Sequence, residues 1–314
     1  MGRRKSGRDV NGVILLDKPQ GLTSNAALQQ VRRFFNANKA GHTGALDPLA
    51  TGILPLCFGE ATKLSHFSLA ADKTYQVVAQ LGQRTTTSDA EGDIVWTATD
   101  AQLAVLNDGL IDAAIAHFTG EQEQSPSMYS ALKYEGKPLY WYARQGIDVP
   151  LKTRTITIHS IQQLGWEGDR LHLEVTCSKG TYIRTLIDDM GQFLGCGAYV
   201  AELRRTWIEG VKGRVWRMEE LAEIAAQTMP DQERYEALDA LLEPVDSVIR
   251  QFPIVRLNDE DGMRFQRGNP VPLPAGTLAS DEAPARVYAA EGERMLGLGV
   301  GQESLLAPKR VLNL

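Results

Sequence analysis

The sequence predicts an α+β fold with a mixed, largely antiparallel sheet and a small β-rich module at the C-terminal end. Segments with strand and helix patterns alternate without the regular βαβ order of a parallel sheet. A period of two, which marks a half-buried strand, is found at Tyr75, Val77, Ala79 and Leu81. After Pro253, short apolar runs are broken by glycine and proline, which is typical of a small barrel. We therefore expect a large domain over residues 1–249 and a small one over residues 250–314.

Local signals predict the first elements. Residues 11–17 are apolar and β-branched, which predicts a buried strand ending at Asp17-Lys18-Pro19. Thr23 or Ser24 can cap the helix that follows, and the apolar face of that helix would carry Leu28, Val31, Phe34 and Phe35. Glycines and a proline in residues 41–52 then favour an ordered loop over a helix or a strand.

The later elements follow from apolar periodicity. In chain order they are a helix over 101–118, a hairpin with strands around 156–158 and 171–175 and a turn at Gly165 to Gly168, a helix from about Thr181 to Gly195, a strand over 199–208, and a largely helical stretch over 218–243. Such a mixed order is expected of an α+β protein, because its strands are connected by hairpins as well as by helices.

Composition restricts the class of protein. No apolar run approaches the roughly 18–20 residues that span a bilayer, and no signal-peptide stretch follows the basic N-terminus. The five histidines are scattered, and CxxC spacing is missing among the three cysteines, Cys57, Cys177 and Cys196. We therefore expect no disulfide framework, no bound metal and a cytoplasmic location.

The formal net charge of −6 argues mildly against a nucleic-acid partner, because phosphate binding requires Lys and Arg. The basic residues are nevertheless clustered: Arg3, Arg4, Lys5 and Arg8 at the start, Lys133, Lys137, Arg144, Lys152 and Arg154 in one segment, and Arg204 with Arg205. Local patches can bind RNA on an acidic protein. The net charge therefore weakens an RNA-binding interpretation without excluding it.

The most informative segment is the loop Gly41-His42-Thr43-Gly44-Ala45-Leu46-Asp47-Pro48-Leu49-Ala50-Thr51-Gly52. An aspartate before a proline is often a turn initiator, and on that interpretation His42 and Thr43 are ordinary loop residues. A dense run of Gly, His, Thr and Asp after a helix also suits a fixed loop that presents a reactive group. The residue types alone leave both interpretations open.

That loop is accompanied, in order, by five further motifs: Asn11-Gly12-Val13-Ile14-Leu15-Leu16-Asp17-Lys18-Pro19, Lys73-Thr74-Tyr75, Ser127-Met128-Tyr129-Ser130-Ala131-Leu132-Lys133, Cys177-Ser178-Lys179-Gly180-Thr181-Tyr182-Ile183-Arg184-Thr185 and Leu203-Arg204-Arg205. Together they resemble the TruB family, bacterial synthases that form pseudouridine 55 in the T loop of tRNA. The resemblance spans the chain to about residue 250. It implies the pseudouridine synthase fold, a C-terminal PUA-like domain, and isomerisation of uridine 55 in elongator tRNAs after the base is flipped out.

The resemblance also implies roles for individual residues. Asp47 would be the catalytic nucleophile, attacking either ribose C1′ or uracil C6, and Arg184 would keep its carboxylate ionised. Tyr75 would stack on the target base and act in proton transfer at the sugar, although an inward core position also suits its strand. Tyr182 would line the pocket, and Leu203 would supply an apolar wall against the uracil.

Other matched positions concern the RNA. His42 would occupy the space that the flipped base vacates and contact the displaced nucleotides. Asp89 matches a family position too, but an Asx turn explains it nearly as well, and it stays outside the predicted site. Aromatic and basic residues alternate in the segment of about 125–152, which predicts a hinged RNA-clasping element; the alternative is an amphipathic helix packed on the body. Candidate phosphate contacts in the C-terminal domain are Arg264, Arg267, Lys309 and Arg310.

The implied reaction oxidises nothing and consumes nothing, so no cofactor is expected. The expected partner is tRNA, bound through the T arm and, by the C-terminal domain, the acceptor stem; no membrane is involved, and the protein would be a monomer. Two alternatives remain: a tRNA-binding folding chaperone without chemistry, and a synthase acting on another RNA. Asp47 together with Tyr75 and Arg184 favours catalysis, because a chaperone has no need of that trio.

Overall fold

The computed structural model describes residues 7–130, 132–274 and 284–314, so Arg3, Arg4, Lys5 and Ala131 lie outside the described residues. The strands are β1 (Gly12–Lys18), β2 (Ala40–His42), β3 (Thr51–Phe58), β4 (Lys73–Leu81), β5 (Gln83–Thr85), β6 (Ile94–Thr97), β7 (Gly120–Gln124), β8 (Lys133–Tyr134), β9 (Lys137–Pro138), β10 (Arg154–Glu167), β11 (Arg170–Cys177), β12 (Ala198–Ile208), β13 (Val215–Arg217), β14 (Ile254–Leu257), β15 (Val271–Pro272), β16 (Pro284–Ala289), β17 (Met295–Gln302) and β18 (Leu305–Val311). The helices are α1 (Ser24–Phe34), α2 (Ser65–Leu69), α3 (Asp100–Ala104), α4 (Asp108–Phe118), α5 (Leu139–Arg144), α6 (Ile183–Phe193), α7 (Met218–Ala225), α8 (Asp231–Asp239) and α9 (Asp259–Gln266), with a 3-10 turn at Gly59–Lys63.

The chain divides into two compact units. Unit 1 comprises the described parts of Met1–Asp47, Gly52–Ala71 and Glu209–Leu314, and unit 2 comprises Pro48–Thr51 and Asp72–Ile208. Both units combine helices with sheets, so the predicted α+β class is confirmed. None of the helices in the described ranges is long and apolar enough to cross a membrane.

In unit 1, β1 pairs in parallel with β13 and in antiparallel with β3, and β2 pairs with β3. The central residues of β1, from Val13 to Leu16, are completely buried, which explains their continuous apolar run. Helix α1 begins as predicted, because the Oγ1 atom of Thr23 accepts a hydrogen bond from the N–H of Ala26 at 3.1 Å. Phe35 follows the helix and packs on Phe58 with ring centroids 5.0 Å apart.

In unit 2, the strand order is β12-β4-β11-β10-β7, and every neighbouring pair is antiparallel. The predicted half-buried strand is confirmed as β4. Two predictions for this unit were wrong in detail. The helix expected over 101–118 is interrupted, because the side chain of Asn107 accepts a hydrogen bond from the N–H of Leu110 and starts α4. The hairpin turn comes later than expected, because β10 continues through Gly165 to Glu167.

The C-terminal strands form a curled sheet in the order β14-β16-β17-β18-β15, which confirms the expected β-rich module. Its inner residues make a core of their own: Val255, Leu257, Phe265, Val271, Ala285, Val287, Leu296 and Leu306. Met295 and Leu298 from β17 belong to another cluster, together with Val13 and Leu15 of β1. Because compact unit 1 includes this sheet and β1 alike, the division at residue 250 stays a prediction.

Candidate active site

The residue before Asp47 is clamped by Ser24, a buried residue in the first turn of α1. The Oγ atom of Ser24 accepts a hydrogen bond from the N–H of Leu46 at 2.7 Å and donates one to the carbonyl of Leu46 at 3.0 Å. Leu46 itself is buried, whereas Asp47 is half-buried. The backbone leading into Asp47 is therefore held in one position, and Asp47 is not fully buried.

The ends of the glycine-rich segment are strands, so the prediction of a loop throughout 41–52 was wrong there. His42 lies at the end of β2 and pairs with Leu56, and Thr51 begins β3. The N–H of Thr43 donates to the carbonyl of Pro55 at 3.2 Å and continues that attachment. These contacts leave 44–50 as the irregular part of the segment, with Asp47 inside it.

Tyr75 and Leu203 lie on one face of the sheet of unit 2. Val77 of β4 is in register with Leu203 of β12, and Tyr75 is in register with Arg205. Residues directly opposite in an antiparallel pair share a face, as do alternate residues of one strand. Leu203 is buried and Tyr75 is half-buried, so Tyr75 occupies the more exposed of the two positions on this face.

Arg184, near the start of α6, is a buried residue and not a surface arginine. Its Nη1 atom donates to the carbonyl of Thr87 at 3.0 Å and lies 3.3 Å from Oδ2 of Asp89, and its Nη2 atom donates to the carbonyl of Tyr129 at 3.0 Å. The other oxygen of Asp89 accepts from the N–H of Glu91 at 3.0 Å, as in an Asx turn. The turn and the ion pair therefore coexist, which the sequence did not indicate.

Tyr182 immediately precedes α6 and is half-buried. Its N–H donates to Oε1 of Gln124 at 2.8 Å, and its carbonyl accepts from Nε2 of the same side chain at 3.1 Å. Sequence reasoning missed Gln124. The available signal was a polar residue next to Ser125-Pro126, and nothing in the sequence identified its partner.

A cleft of about 440 Å³ lies within unit 2, beside the Arg184 network. Hydroxyl and carboxylate groups supply much of its lining: Thr86, Ser88, Ser127, Tyr129, Thr185 and Asp188. Ser88 has a φ of 58°, a left-handed conformation that is uncommon outside glycine and is found at ligand-contacting turns. The cleft combines polar and apolar groups in its lining, is open to solvent and lies next to the residues that hold Arg184.

The segment after β7 forms a small hairpin, β8–β9, and the helix α5. Leu139 and Tyr142 of α5 are buried, whereas Tyr140 is 41% exposed. The Nζ atom of Lys137 lies 3.6 Å from the ring centroid of Trp141, and Arg144 lies over the ring of Tyr140 at 5.5 Å. One face of α5 therefore packs inward, as expected for the alternative interpretation, an amphipathic helix packed on the body. Its exposed side also carries a cation next to an aromatic ring.

The predicted site residues are distributed over both units. His42 and Asp47 belong to unit 1, and Tyr75, Tyr182, Arg184 and Leu203 belong to unit 2. Within unit 2, Arg184 near the start of α6 contacts Asp89 and the carbonyl of Tyr129. Neither Asp89 nor Tyr129 was among the predicted site residues.

Family models cover nearly the whole chain. Residues 32–183 match the model described as "TruB family pseudouridylate synthase (N terminal domain)". Residues 184–250 match "tRNA pseudouridylate synthase B C-terminal domain", and residues 253–312 match "Pseudouridine synthase II TruB, C-terminal".

Known proteins agree with these models. A protein of Idiomarina loihiensis named tRNA pseudouridine synthase B is 51% identical over 311 residues, covering 99% of this chain and 96% of the relative. A protein of Shigella boydii serotype 4 with the same name is 50% identical over 312 residues, covering 98% and 97%. Among solved structures, a Cbf5-Nop10-Gar1 complex contains a chain that is 26% identical with a TM-score of 0.73, covering 96% of this chain and 84% of that one. A chain of an H/ACA RNP bound to a substrate RNA is similar in fold, at 21% identity and a TM-score of 0.72, covering 100% and 92%.

Fold and sequence together define a pseudouridine synthase, an RNA-binding isomerase. The chain belongs to the TruB family of these enzymes.

Proposed function

We propose that this enzyme isomerises uridine 55 in the T loop of elongator tRNAs to pseudouridine, with Asp47 as the nucleophile. Support for a tRNA substrate comes from relatives that are about half identical over nearly their full length and are named tRNA pseudouridine synthase B. Three free cysteines, all buried, are compatible with the reducing cytoplasm in which tRNA is modified.

The main support for Asp47 as the nucleophile is the pair of hydrogen bonds between Ser24 and Leu46. A nucleophile gains most from a fixed approach to the reacting carbon, because correct orientation removes much of the entropic cost of the reaction. Two hydrogen bonds fix the N–H and the carbonyl of Leu46, just before Asp47, and Asp47 is only half-buried. A fixed backbone before a residue that is not fully buried supports the proposal that Asp47 is the nucleophile.

The proposed chemistry balances without a cofactor. The N1–C1′ glycosidic bond breaks, the uracil turns, and a new bond forms between C5 and C1′, while the hydrogen on C5 is released to water and N1 takes up a proton. The carboxylate of Asp47 forms a temporary covalent bond to C1′ or to C6 and is regenerated. No electron is gained or lost overall.

The other predicted residues have distinct parts in this proposal. Tyr75 stacks on the flipped uracil and acts in proton transfer at the sugar, and Leu203, on the same face of the sheet, forms the apolar wall. Tyr182 lines the pocket. Arg184 supplies the positive charge that favours an ionised Asp47. His42 takes the space that the flipped base leaves.

RNA binding is proposed to extend beyond the pocket. The segment 125–152 clasps the T arm through exposed aromatic and basic groups such as Tyr140 and Arg144. The predicted PUA-like domain over residues 250–314 contacts the acceptor stem through Arg264, Arg267, Lys309 and Arg310. One enzyme monomer binds one tRNA.

The test compares Asp47→Asn with the wild type on an unmodified tRNA transcript, and Asp169→Asn, the same change at an exposed turn, is the control. We expect Asp47→Asn to lose pseudouridine formation, mapped by carbodiimide adducts, while RNA affinity stays within several-fold of the wild type. Turnover retained in Asp47→Asn would overturn the nucleophile, and modification outside the T loop would overturn the substrate. RNA binding without any turnover by the wild type would favour the folding chaperone.

A further inference from the structure

The side-chain amide of Gln124 binds both backbone polar groups of Tyr182. The N–H of Tyr182 can only donate and its carbonyl can only accept, so the amide orientation is fixed by the two hydrogen bonds. Gln124 is 4% exposed and is 58 residues away in sequence. Tyr182 is the N-cap residue of α6, but its side chain makes no capping hydrogen bond. The amide of Gln124 therefore fixes the peptide groups at the point where α6 begins.

A residue just beyond the far end of the segment 125–152 also contacts Tyr182. Arg154 begins β10 two residues after that segment and is in backbone register with Gln124, which ends β7 directly before it. The guanidinium carbon of Arg154 lies 5.4 Å from the ring centroid of Tyr182, within the range of a cation–π contact. Gly180 has a φ of 81°, and a Cβ atom there would lie 3.1 Å from Nη1 of Arg154. Gly180 therefore leaves room for the arginine to lie close.

A third contact links the same segment to the next functional residue of α6. The carbonyl of Tyr129, five residues after Gln124, accepts the hydrogen bond from Nη2 of Arg184. The two residues that flank the segment 125–152, and Tyr129 in its first turn, are thus joined to Tyr182 and Arg184 by a side-chain amide, a cation and a carbonyl. A segment that only clasped RNA would not require an attachment at the first residues of α6.

We propose that Gln124 is a positioning residue for catalysis. It fixes the position of Tyr182 and of the start of α6, so that the residues flanking the RNA-clasping segment 125–152 and the pocket form one rigid assembly. The proposal rests on the proposed function, because it takes Tyr182 and Arg184 to act at the uridine. Loss of the amide lets Tyr182 and Arg184 shift while the exposed RNA-contacting groups of α5 are unchanged. Turnover falls, and RNA affinity does not.

The experiment uses the full-length enzyme with Gln124→Met, which keeps the length of the side chain and removes both hydrogen bonds. Its matched control is Gln122→Met, on the same strand, where the amide donates only to the carbonyl of Phe118. The substrate is a tRNA transcript with tritium at C5 of uridine, because isomerisation releases that hydrogen to water. Single-turnover rates are measured beside RNA dissociation constants and thermal midpoints.

We expect the single-turnover rate of Gln124→Met to fall by about tenfold to a hundredfold, the loss typical of a small misplacement of reacting groups. The dissociation constant should stay within about threefold, and Gln122→Met should match the wild type. If Gln124→Met does not fold, Gln124→Asn, which keeps the amide but withdraws it by one bond, is expected to show the same loss.

Three results would overturn the proposal: a rate within about twofold of the wild type, a loss of affinity without a loss of rate, or an equal loss in Gln122→Met. Failure of the proposed function is distinguishable, because the wild type would then release no tritium from the T-loop uridine.

Discussion

Arg184 and Asp89 form an ion pair in which both side chains are almost entirely buried, with exposed fractions of 5% and 3% and an N–O distance of 3.3 Å. Asp89 is itself held by the N–H of Glu91 and the hydroxyl of Thr87. Buried charges are tolerated only when they are paired and hydrogen-bonded. The pair therefore fixes the guanidinium in a region where few other arrangements would be allowed.

Removing Asp89 should destabilise the fold strongly. Asp89→Ala removes the buried carboxylate that lies 3.3 Å from the guanidinium of Arg184, and loss of one partner of a buried pair costs about 3–5 kcal/mol in the free energy of unfolding. Urea denaturation measures this value. The control is Glu202→Ala, which removes the exposed partner of Arg170, a pair expected to contribute about 0–1 kcal/mol. If the free energy of unfolding fell equally in the two variants, the buried pair would contribute no more than the exposed one.

Ser24→Ala should impair catalysis beyond its effect on stability. The substitution leaves the buried N–H of Leu46 without its acceptor, at a cost of about 1–3 kcal/mol, and releases the backbone before Asp47. We expect turnover to fall by at least about tenfold at saturating RNA.

Thr23→Ala is the matched control for Ser24→Ala. It removes the cap of the same helix, costing about 1 kcal/mol, and leaves the clamp on Leu46 intact. Thermal midpoints and turnover are measured for both variants. If the two lose turnover equally, Ser24 acts through the stability of α1 and not through the position of Asp47.

Much of the fold could be predicted because its signals are local. The cap at Thr23 and the apolar run of β1 each lie within a few residues of the structure that they determine. The break between α3 and α4 was missed, because the apolar spacing continues across Asn107 and only the cap itself interrupts it.

The contacts that hold the candidate site could not be predicted in this way. Ser24 and Leu46 are 22 residues apart, and Gln124 and Tyr182 are 58 apart. Such pairs depend on the register of strands and on which end of a helix meets which loop, and neither is encoded in a local pattern. For Asp89, the local Asx turn was visible in the sequence, whereas the distant arginine that uses its other oxygen was not.

Tyr140→Ala should weaken RNA binding. Tyr140 is an exposed ring with Arg144 over its face, and a stacked base is worth about 1–3 kcal/mol, so the dissociation constant should rise by about fivefold to 150-fold. Tyr142→Phe is the control, because its ring is buried and its hydroxyl donates to the carbonyl of Tyr134. Fluorescence anisotropy with labelled tRNA measures both. An unchanged dissociation constant for Tyr140→Ala would argue against stacking at α5.

Stability should fall in alkali because of two buried thiols. Burial raises the pKa of Cys57 from 9.0 to about 12 and that of Cys177 from 9.0 to about 11. Above pH 9 the unfolded chain therefore loses protons that the native chain keeps, and each such thiol lowers the free energy of unfolding by about 1.4 kcal/mol per pH unit until its native pKa is reached.

Urea denaturation across this pH range tests the effect through two alanine variants. In Cys57→Ala, the free energy of unfolding should decline less steeply with rising pH up to about pH 12. In Cys177→Ala the same effect should extend only to about pH 11. Each variant also loses some stability at neutral pH, because it leaves a small cavity. The slopes are therefore compared and not the absolute values. Parallel curves for the wild type and both variants would show that the thiols are already accessible to water in the native protein.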